Sequence, residues 1–253
     1  MKKTLILAVI SAWTATAEAA WTAIEGIIPS LTQDTVMTRI PYAAGGSLVS
    51  NNGPDAAAVQ SALGARDAGW YYGNRGNNTG TDVTGGDGFT KLVTATGNNN
   101  GGGFTALKCN TLPADALAGF GELTFSFDTG GLNNTSRTGQ PQYFSLWYSQ
   151  TIHGEEFFSQ VGATLGGTAG TVANQSFSWE MEKSEYGSIF SGDTTFYLVL
   201  NSGAVDSTYA YQELTVSNFT LQAGVPEPSG ASLALAGLAG LLVRRKREQP
   251  RTV

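Results

Sequence analysis

Residues 122–128 read Glu-Leu-Thr-Phe-Ser-Phe-Asp, and every second side chain in this stretch is apolar. A period of two is typical of a β-strand with one face buried and the other in water. The pattern returns at 143–149 and 195–200, where large apolar side chains again occupy alternate positions. Because the intervening turns are rich in Gly and Asn, which favour tight reversals, these stretches predict antiparallel strands.

The alternation changes phase near the end of the chain. Leu214 and Val216 share one face, but Phe219 and Leu221 are displaced by one position. One extra residue in a strand restores the buried face through a β-bulge, which we expect near Ser217 and Asn218. Weaker strand patterns occur at 36–42, 69–72, 89–95, 104–109 and 177–181, and helical patterns are confined to 54–63 and 113–117.

The N-terminus predicts a secretory signal peptide over residues 1–19. A positive start at 2–3 precedes an apolar stretch, 5–13, that is too short to span a bilayer and stop there. The small residues Ala17 and Ala19 are of the kind that signal peptidase accepts, so we expect the mature chain to begin at Ala20. A short N-terminal membrane anchor is the alternative.

The C-terminus has three parts in a fixed order. A proline motif at 225–228 precedes an apolar run at 229–243 and a basic cluster at 244–247. The motif is Val225, Pro226, Glu227 and Pro228, and the cluster is Arg244, Arg245, Lys246 and Arg247. This order resembles the PEP-CTERM sorting signal that exosortase-type membrane proteases recognise in Gram-negative bacteria. The resemblance implies a sorting tail over 223–253, an exosortase partner and an inner-membrane intermediate. The final location would then be the cell surface, the outer envelope or the extracellular matrix.

Each part of the tail has a physical role. Pro226 and Pro228 interrupt regular structure and so keep an extended, accessible segment. As a helix, the apolar run would be about 22 Å long, against about 30 Å of hydrocarbon core. This short transmembrane helix suits transient insertion, with the basic cluster held in the cytoplasm by the positive-inside rule. A plain C-terminal tail anchor is the alternative.

Between the two targeting segments, residues 20–222 predict one exported all-β domain. Short strands, polar turns and few helical patterns favour an antiparallel β-sandwich. The segment 120–222, with a long connection at 133–141 and the final strand around 214–221, is similar to the jelly-roll domains often found before PEP-CTERM tags. That resemblance implies a jelly-roll-like sandwich.

Charge and cysteine content narrow the class of partner. Of the 14 basic and 20 acidic residues, 7 and 17 lie in 20–222, so the exported domain is strongly acidic. An acidic surface disfavours nucleic acid and is compatible with neutral polymers or cations. Cys109 is the single cysteine, and we expect a buried, small apolar side chain rather than a reactive thiol.

No catalytic motif stands out, and we assign no catalytic or metal-binding residue. His153 lies in a polar stretch that predicts a hairpin tip. Glu180 and Glu182 share one face of a predicted strand about 6.6 Å apart, as a paired-carboxylate glycosidase would need. The pattern lacks the further acids of jelly-roll glycosidases, since Ser184 follows, so a solvated strand face is the favoured interpretation.

Two stretches are candidates for binding. Trp70, Tyr71 and Tyr72, followed by polar residues over 74–78, could stack a sugar ring and bond its hydroxyls, although strand aromatics often fill a core. The acidic, glycine-rich stretch 82–88 could hold calcium, although it lacks EF-hand spacing, and we assign no cofactor.

The sequence as a whole favours an exported cell-envelope or matrix protein that acts as a non-catalytic binding or structural component. Extracellular polysaccharide is the candidate ligand. A secreted, glycan-active enzyme on the same jelly-roll scaffold is the alternative function.

Overall fold

The computed structural model describes residues 20–32, 35–41, 45–49, 53–74, 88–94, 102–133, 141–152, 155–202 and 212–225. The predicted signal peptide, the predicted tail from Pro226 onward and His153 lie outside these ranges. Among the helices in these ranges, none combines the length and apolar character that crossing a membrane requires.

Two β-sheets make up most of the described chain. Their strands are β1 Trp21–Ala23, β2 Thr38–Arg39, β3 Gly69–Asn74, β4 Phe89–Thr94, β5 Gly103–Lys108, β6 Glu122–Asn133, β7 Pro141–Ile152, β8 Glu155–Thr168, β9 Ser176–Glu182, β10 Thr194–Ser202 and β11 Gln212–Gly224. Helical segments are short: they are α1 Ala56–Val59, which continues as a π-type turn over Gln60–Gly64, α2 Ala169–Val172, and 3-10 turns at Gly46–Leu48 and Ala114–Leu117.

The three strongest strand predictions are confirmed, because β6, β7 and β10 contain 122–128, 143–149 and 195–200. Within the described part of the pattern at 36–42, which ends at 41, the strand is limited to the two residues of β2, and the sequence patterns do not predict β1 or β8. The sequence pattern does not predict β8 because this strand lies at a sheet edge with most of its side chains exposed. It therefore lacks the apolar alternation that marks a half-buried strand.

The sheet orders define the topology. Sheet A runs β9-β6-β11, and both β1 and β4 pair along the far edge of β11; sheet B runs β2-β3-β5-β10-β7-β8. The pairs are antiparallel except β2 with β3. From β4 to β11 every connection crosses from one sheet to the other, except the β7–β8 hairpin, which stays in sheet B. The resulting strand orders are β4-β11-β6-β9 in sheet A and β5-β10-β7-β8 in sheet B. This is the double Greek-key arrangement of a jelly roll, as expected.

The main core fills the space between the two sheets. Leu123, Phe125 and Phe127 of β6 are buried and face side chains of sheet B, and Phe127 meets Phe144 edge-on with ring centroids 5.3 Å apart. Cys109 is buried in the same core, and burial raises the pKa of its thiol well above the usual range. The prediction of a buried, small apolar cysteine is therefore confirmed.

A second apolar core lies on the outer face of sheet B. Tyr197 and Val199 of β10 are fully buried there, beneath the segment that carries α1. Asp55 caps that helix, since its carboxylate accepts the backbone N–H of Ala58 at 2.7 Å. The central strands of sheet B are thus covered on both faces, whereas the outer face of sheet A carries polar, half-exposed or exposed side chains of β6 and β9.

Candidate functional site

The predicted bulge in β11 is confirmed and begins the candidate site. The pairing of β11 with β6 shifts register between Ser217 and Thr220, and Asn218 has a φ of 56°. The Asn218 amide donates to the Asp128 carboxylate at 2.8 Å. A hydrogen bond from Ser176 lowers the pKa of the Asp128 carboxyl most, and the one from Asn218 lowers it further. These contacts hold the bulge in place.

The bulge turns the next residue, Phe219, toward the inside of the sandwich. Its ring is stacked against Phe127 with centroids 6.1 Å apart, and it meets Trp70 of sheet B at 4.8 Å and 61°. Because Phe219 is half-buried, it links the main core to the surface. This ring is the inner wall of the candidate site.

A notch in the edge of sheet A opens onto this ring. Strand β4 pairs with residues 212–217 of β11 and β1 pairs with 222–224, so neither strand pairs with 218–221. The segment 24–31 runs across the opening and is tied at both ends. The Ile24 N–H donates to the Leu221 carbonyl at 2.9 Å, and the Gly88 N–H donates to the Leu31 carbonyl at 2.7 Å.

The notch and the segment 24–31 enclose an open groove of about 320 Å³. Its aromatic wall is formed by Phe219 and Trp70, and the Trp70 indole N–H donates to the Pro29 carbonyl at 3.0 Å. Polar side chains at its rim come from the exposed residues Glu25, Ser30 and Asn218. An apolar wall with a few polar groups around it is the usual composition of a small-molecule site.

The three predicted aromatic ligand residues do not form an exposed platform, which corrects the sequence-based interpretation. Trp70 and Tyr71 are only 3% and 6% exposed. Consecutive strand residues point to opposite faces, so Trp70 and Tyr72 join the main core while Tyr71 joins the second core. The Tyr71 hydroxyl donates to the Asp67 carbonyl at 2.6 Å. Of the three, only Trp70 lines the groove.

The two paired carboxylates lie elsewhere. Glu180 and Glu182 are exposed on the outer face of β9, and Glu182 sits opposite Glu122 of β6. A shallow cavity of about 440 Å³ is lined by Glu122 and Glu182 but not by Glu180. The described ranges contain no group of three or more His, Cys, Asp or Glu residues arranged to hold a metal ion.

Several predicted positions lie outside the described residues. They are the cleavage positions Ala17 and Ala19, the sorting residues Pro226, Glu227 and Pro228, the basic cluster 244–247, the polar residues 75–78 and most of the stretch 82–88. Ala20 and Val225, at the two ends of the described domain, are both exposed.

Sequence reasoning missed the residues that build the groove. The change of phase near Asn218 predicted the bulge, yet it did not show that Phe219 would meet Trp70. That meeting depends on the pairing of β4 and β1 end to end along β11, which no local pattern of apolar residues encodes.

Comparison with known proteins gives remote structural similarities. No protein-family model and no curated protein matches the sequence. The chain is similar to the CBM22-1 xylan-binding domain from Paenibacillus barcinonensis, at 13% identity and a TM-score of 0.30, over 62% of this chain and 87% of that one. It is also similar to CBM28, a carbohydrate-binding module specific for non-crystalline cellulose, at 13% identity and a TM-score of 0.34, over 60% and 79% of the two chains. Similarity at this level does not assign a family or a function to the chain.

Proposed function

We propose that this chain is an exported, non-catalytic binding protein that takes a carbohydrate in the groove between β11 and the segment 24–31. The observation that carries the proposal is the groove itself, where the rings of Phe219 and Trp70 form one wall beneath a polar rim. A groove of about 320 Å³ can receive a small ligand or one segment of a polymer.

The chemistry of the groove suits a neutral sugar. A sugar ring has an apolar face of C–H groups and an edge of hydroxyls, so it needs an aromatic surface and nearby hydrogen-bonding groups. Phe219 supplies the ring surface, and Ser30 and Asn218 supply donors and acceptors at the rim. The notch leaves 218–220 without a strand partner on this side, whereas the Leu221 carbonyl already accepts the Ile24 N–H.

The same groove does not favour hydrolysis. Among the residues that line it, Glu25 is the single carboxylate, whereas hydrolysis of a glycosidic bond normally uses two converging acids. Glu180 and Glu182 lie on the exposed outer face of β9, away from the groove. We therefore propose binding without turnover and assign no catalytic residue.

The targeting segments give the proposed setting for this binding. The predicted signal peptide exports the chain, and the tail, through its resemblance to the PEP-CTERM signal, sorts it by way of the inner membrane and an exosortase-type protease. The processed protein would then act at the cell surface or in the extracellular matrix, where polysaccharide is available. Its acidic exported domain is compatible with a neutral polymer.

A glycan array with the purified processed protein, run with and without calcium, tests the proposal. A hit is followed by titration calorimetry on two matched pairs. Phe219→Leu removes the ring in the groove, and Phe177→Leu removes a half-buried ring that also stacks on Phe127 but lies outside the groove. Ser30→Trp fills the rim, and Ser178→Trp places the same bulk at an exposed position on β9.

We expect Phe219→Leu and Ser30→Trp to weaken glycan binding about tenfold or more, the equivalent of about 1.4 kcal/mol, with little change in their matched partners. An array without any glycan hit would contradict the proposal. A hit that all four variants bind normally would place the ligand on another surface.

A further inference from the structure

The two ends of the exported domain meet at one end of sheet A. Trp21 of β1 pairs with Gly224 of β11, so the predicted mature start at Ala20 lies beside the exit toward the tail. The Gly224 carbonyl also accepts the Gly121 N–H at 3.0 Å, which holds this end of β11 in the sheet. The position from which the tail leaves the domain is therefore well defined.

Trp21 is exposed at this exit. The residue is 44% exposed, and its ring lies over Gly224, where an added Cβ would be 3.1 Å from the nearest ring atom. Val225, the next residue toward the tail, is 47% exposed. The other tryptophans in the described residues, Trp70, Trp147 and Trp179, are all buried.

The short linker limits how far this end can lie from a membrane. Three residues, 226–228, separate Val225 from the apolar run that starts at Ser229. Fully extended, the chain from Val225 to Ser229 spans at most about 14 Å. The headgroup region on each side of a bilayer is about 5–7 Å thick, and adjacent strands lie about 4.8 Å apart. When the run is inserted, Trp21 therefore lies at most about 19 Å from the hydrocarbon core, so a linker that is not fully extended brings its ring to the headgroups.

We propose that Trp21 contacts the lipid headgroup region of the inner membrane while the C-terminal run is inserted. This inference rests on the proposed insertion of the tail and is independent of the sugar groove. Tryptophan suits that depth, because its ring is amphipathic and its indole N–H can bond to headgroup oxygens or water. The contact would orient the domain and present the linker 226–228 at the membrane surface, where a membrane protease acts.

Charges around Trp21 define the kind of surface it fits. Trp21 pairs with Gly224 of β11, which pairs on its other side with Glu122 of β6. Glu122 in turn pairs with Glu182 of β9, so two carboxylates lie in the same row across sheet A as Trp21. These carboxylates prefer water and disfavour anionic lipid, so they keep the contact at headgroup level and favour zwitterionic lipid. A zwitterionic bilayer is accordingly the probe to use.

The test uses the mature chain from Ala20 with its tail intact, reconstituted in phosphatidylcholine vesicles. Vesicle flotation shows whether the tail inserts. Nitroxide labels at the headgroup or in the middle of the acyl chains then quench tryptophan fluorescence according to depth. Trp21→Phe shows how much of the quenching comes from Trp21, because the other described tryptophans are buried. A chain that ends at Val225 shows how much of the quenching depends on the tail.

We expect the headgroup label to quench about twofold more than the mid-chain label, and Trp21→Phe to remove most of this difference. Flotation without quenching of Trp21 would overturn the membrane contact while leaving tail insertion intact. Absence of flotation would overturn tail insertion and the contact together. Equal quenching in the chain that ends at Val225 would also overturn the inference, because the tail would not be the cause.

Discussion

At the scale of single residues, Tyr197 shows how burial changes the chemistry of a side chain. The Tyr197 hydroxyl lies 3.0 Å from the Ser149 hydroxyl, which itself donates to the Glu156 carboxylate at 3.0 Å. Lys108 lies over the Tyr197 ring at 5.5 Å, and its ammonium donates to the Gly64 carbonyl at 2.6 Å. Burial raises the pKa of Tyr197 to about 12 and lowers the pKa of Lys108.

The raised pKa of Tyr197 predicts a loss of stability at high pH. Unfolded tyrosine ionises near pH 10, whereas folded Tyr197 ionises at about 12. The stabilising contribution of the neutral hydroxyl is therefore complete below pH 10 and is lost as the pH rises from 10 to 12. Ultraviolet titration of the phenolate should show a tyrosine with a pKa of about 12 that disappears in Tyr197→Phe. A variant that keeps this high transition would refute the assignment.

At the scale of elements, β11 and β8 differ in how well the sequence predicts them. The phase change in β11 predicted its bulge because large apolar side chains mark the inward-facing positions on either side of it, Leu214 and Val216 before it and Phe219 and Leu221 after it. Strand β8 lacks such a pattern of large apolar side chains, because it lies at the edge of sheet B and contains Gly162, Gly166 and Gly167. Its position depends on its pairing with β7, whose register also shifts between Phe144 and Leu146.

Glycine at 166 is required where β8 passes β7. Its φ is 131°, and an added Cβ would clash with the backbone carbonyl of Gln142. We expect Gly166→Ala to lower the free energy of unfolding by roughly 2–4 kcal/mol, because neither the backbone angle nor the neighbouring main chain can adapt cheaply. Chemical denaturation measures this change. Gly131→Ala is the control, since its Cβ would meet no atom within 4 Å; equal stability of the two variants would contradict the argument.

At the scale of the whole molecule, the chain builds two cores on one shared sheet. Phe196 and Leu198 of β10 face the main core, while Tyr197 and Val199 face the second core. Central strands of sheet B therefore have both faces buried, which links the folding of the covering segment to that of the sandwich. The continuous apolar run in β10 is typical of such a strand.

The covering segment should contribute substantially to stability. Leu63 is fully buried in the second core, so Leu63→Ala removes apolar contacts and leaves a cavity. We expect the free energy of unfolding to fall by roughly 3 kcal/mol. Denaturation followed by tryptophan fluorescence would measure the loss, with Val36→Ala, at an 87% exposed position, as the control. If Leu63→Ala left the free energy of unfolding unchanged, the covering segment would contribute little to stability.

The tail makes a separate prediction about the fate of the whole chain. In a host with an exosortase, we expect wild-type protein to lose the basic cluster 244–247. The double variant Pro226→Ala with Glu227→Ala keeps every apolar residue of the run but loses the recognition motif, so it should retain the cluster and stay in the inner membrane. Peptide mapping of fractionated cells distinguishes the two. Equal retention would indicate a plain membrane anchor.

Local patterns in the sequence determined the all-β class, the main strands and the bulge at Asn218, because alternation and phase are properties of a single strand. The proposed targeting segments also rest on local motifs. Only the tertiary structure decided that both faces of β3 are covered, so that Trp70 and Tyr71 are buried, that Phe219 lines a groove, and that Trp21 lies beside the exit to the tail. Those outcomes depend on which strands pair and which segment covers each sheet, and such choices minimise the exposed apolar surface of the whole molecule rather than of one stretch.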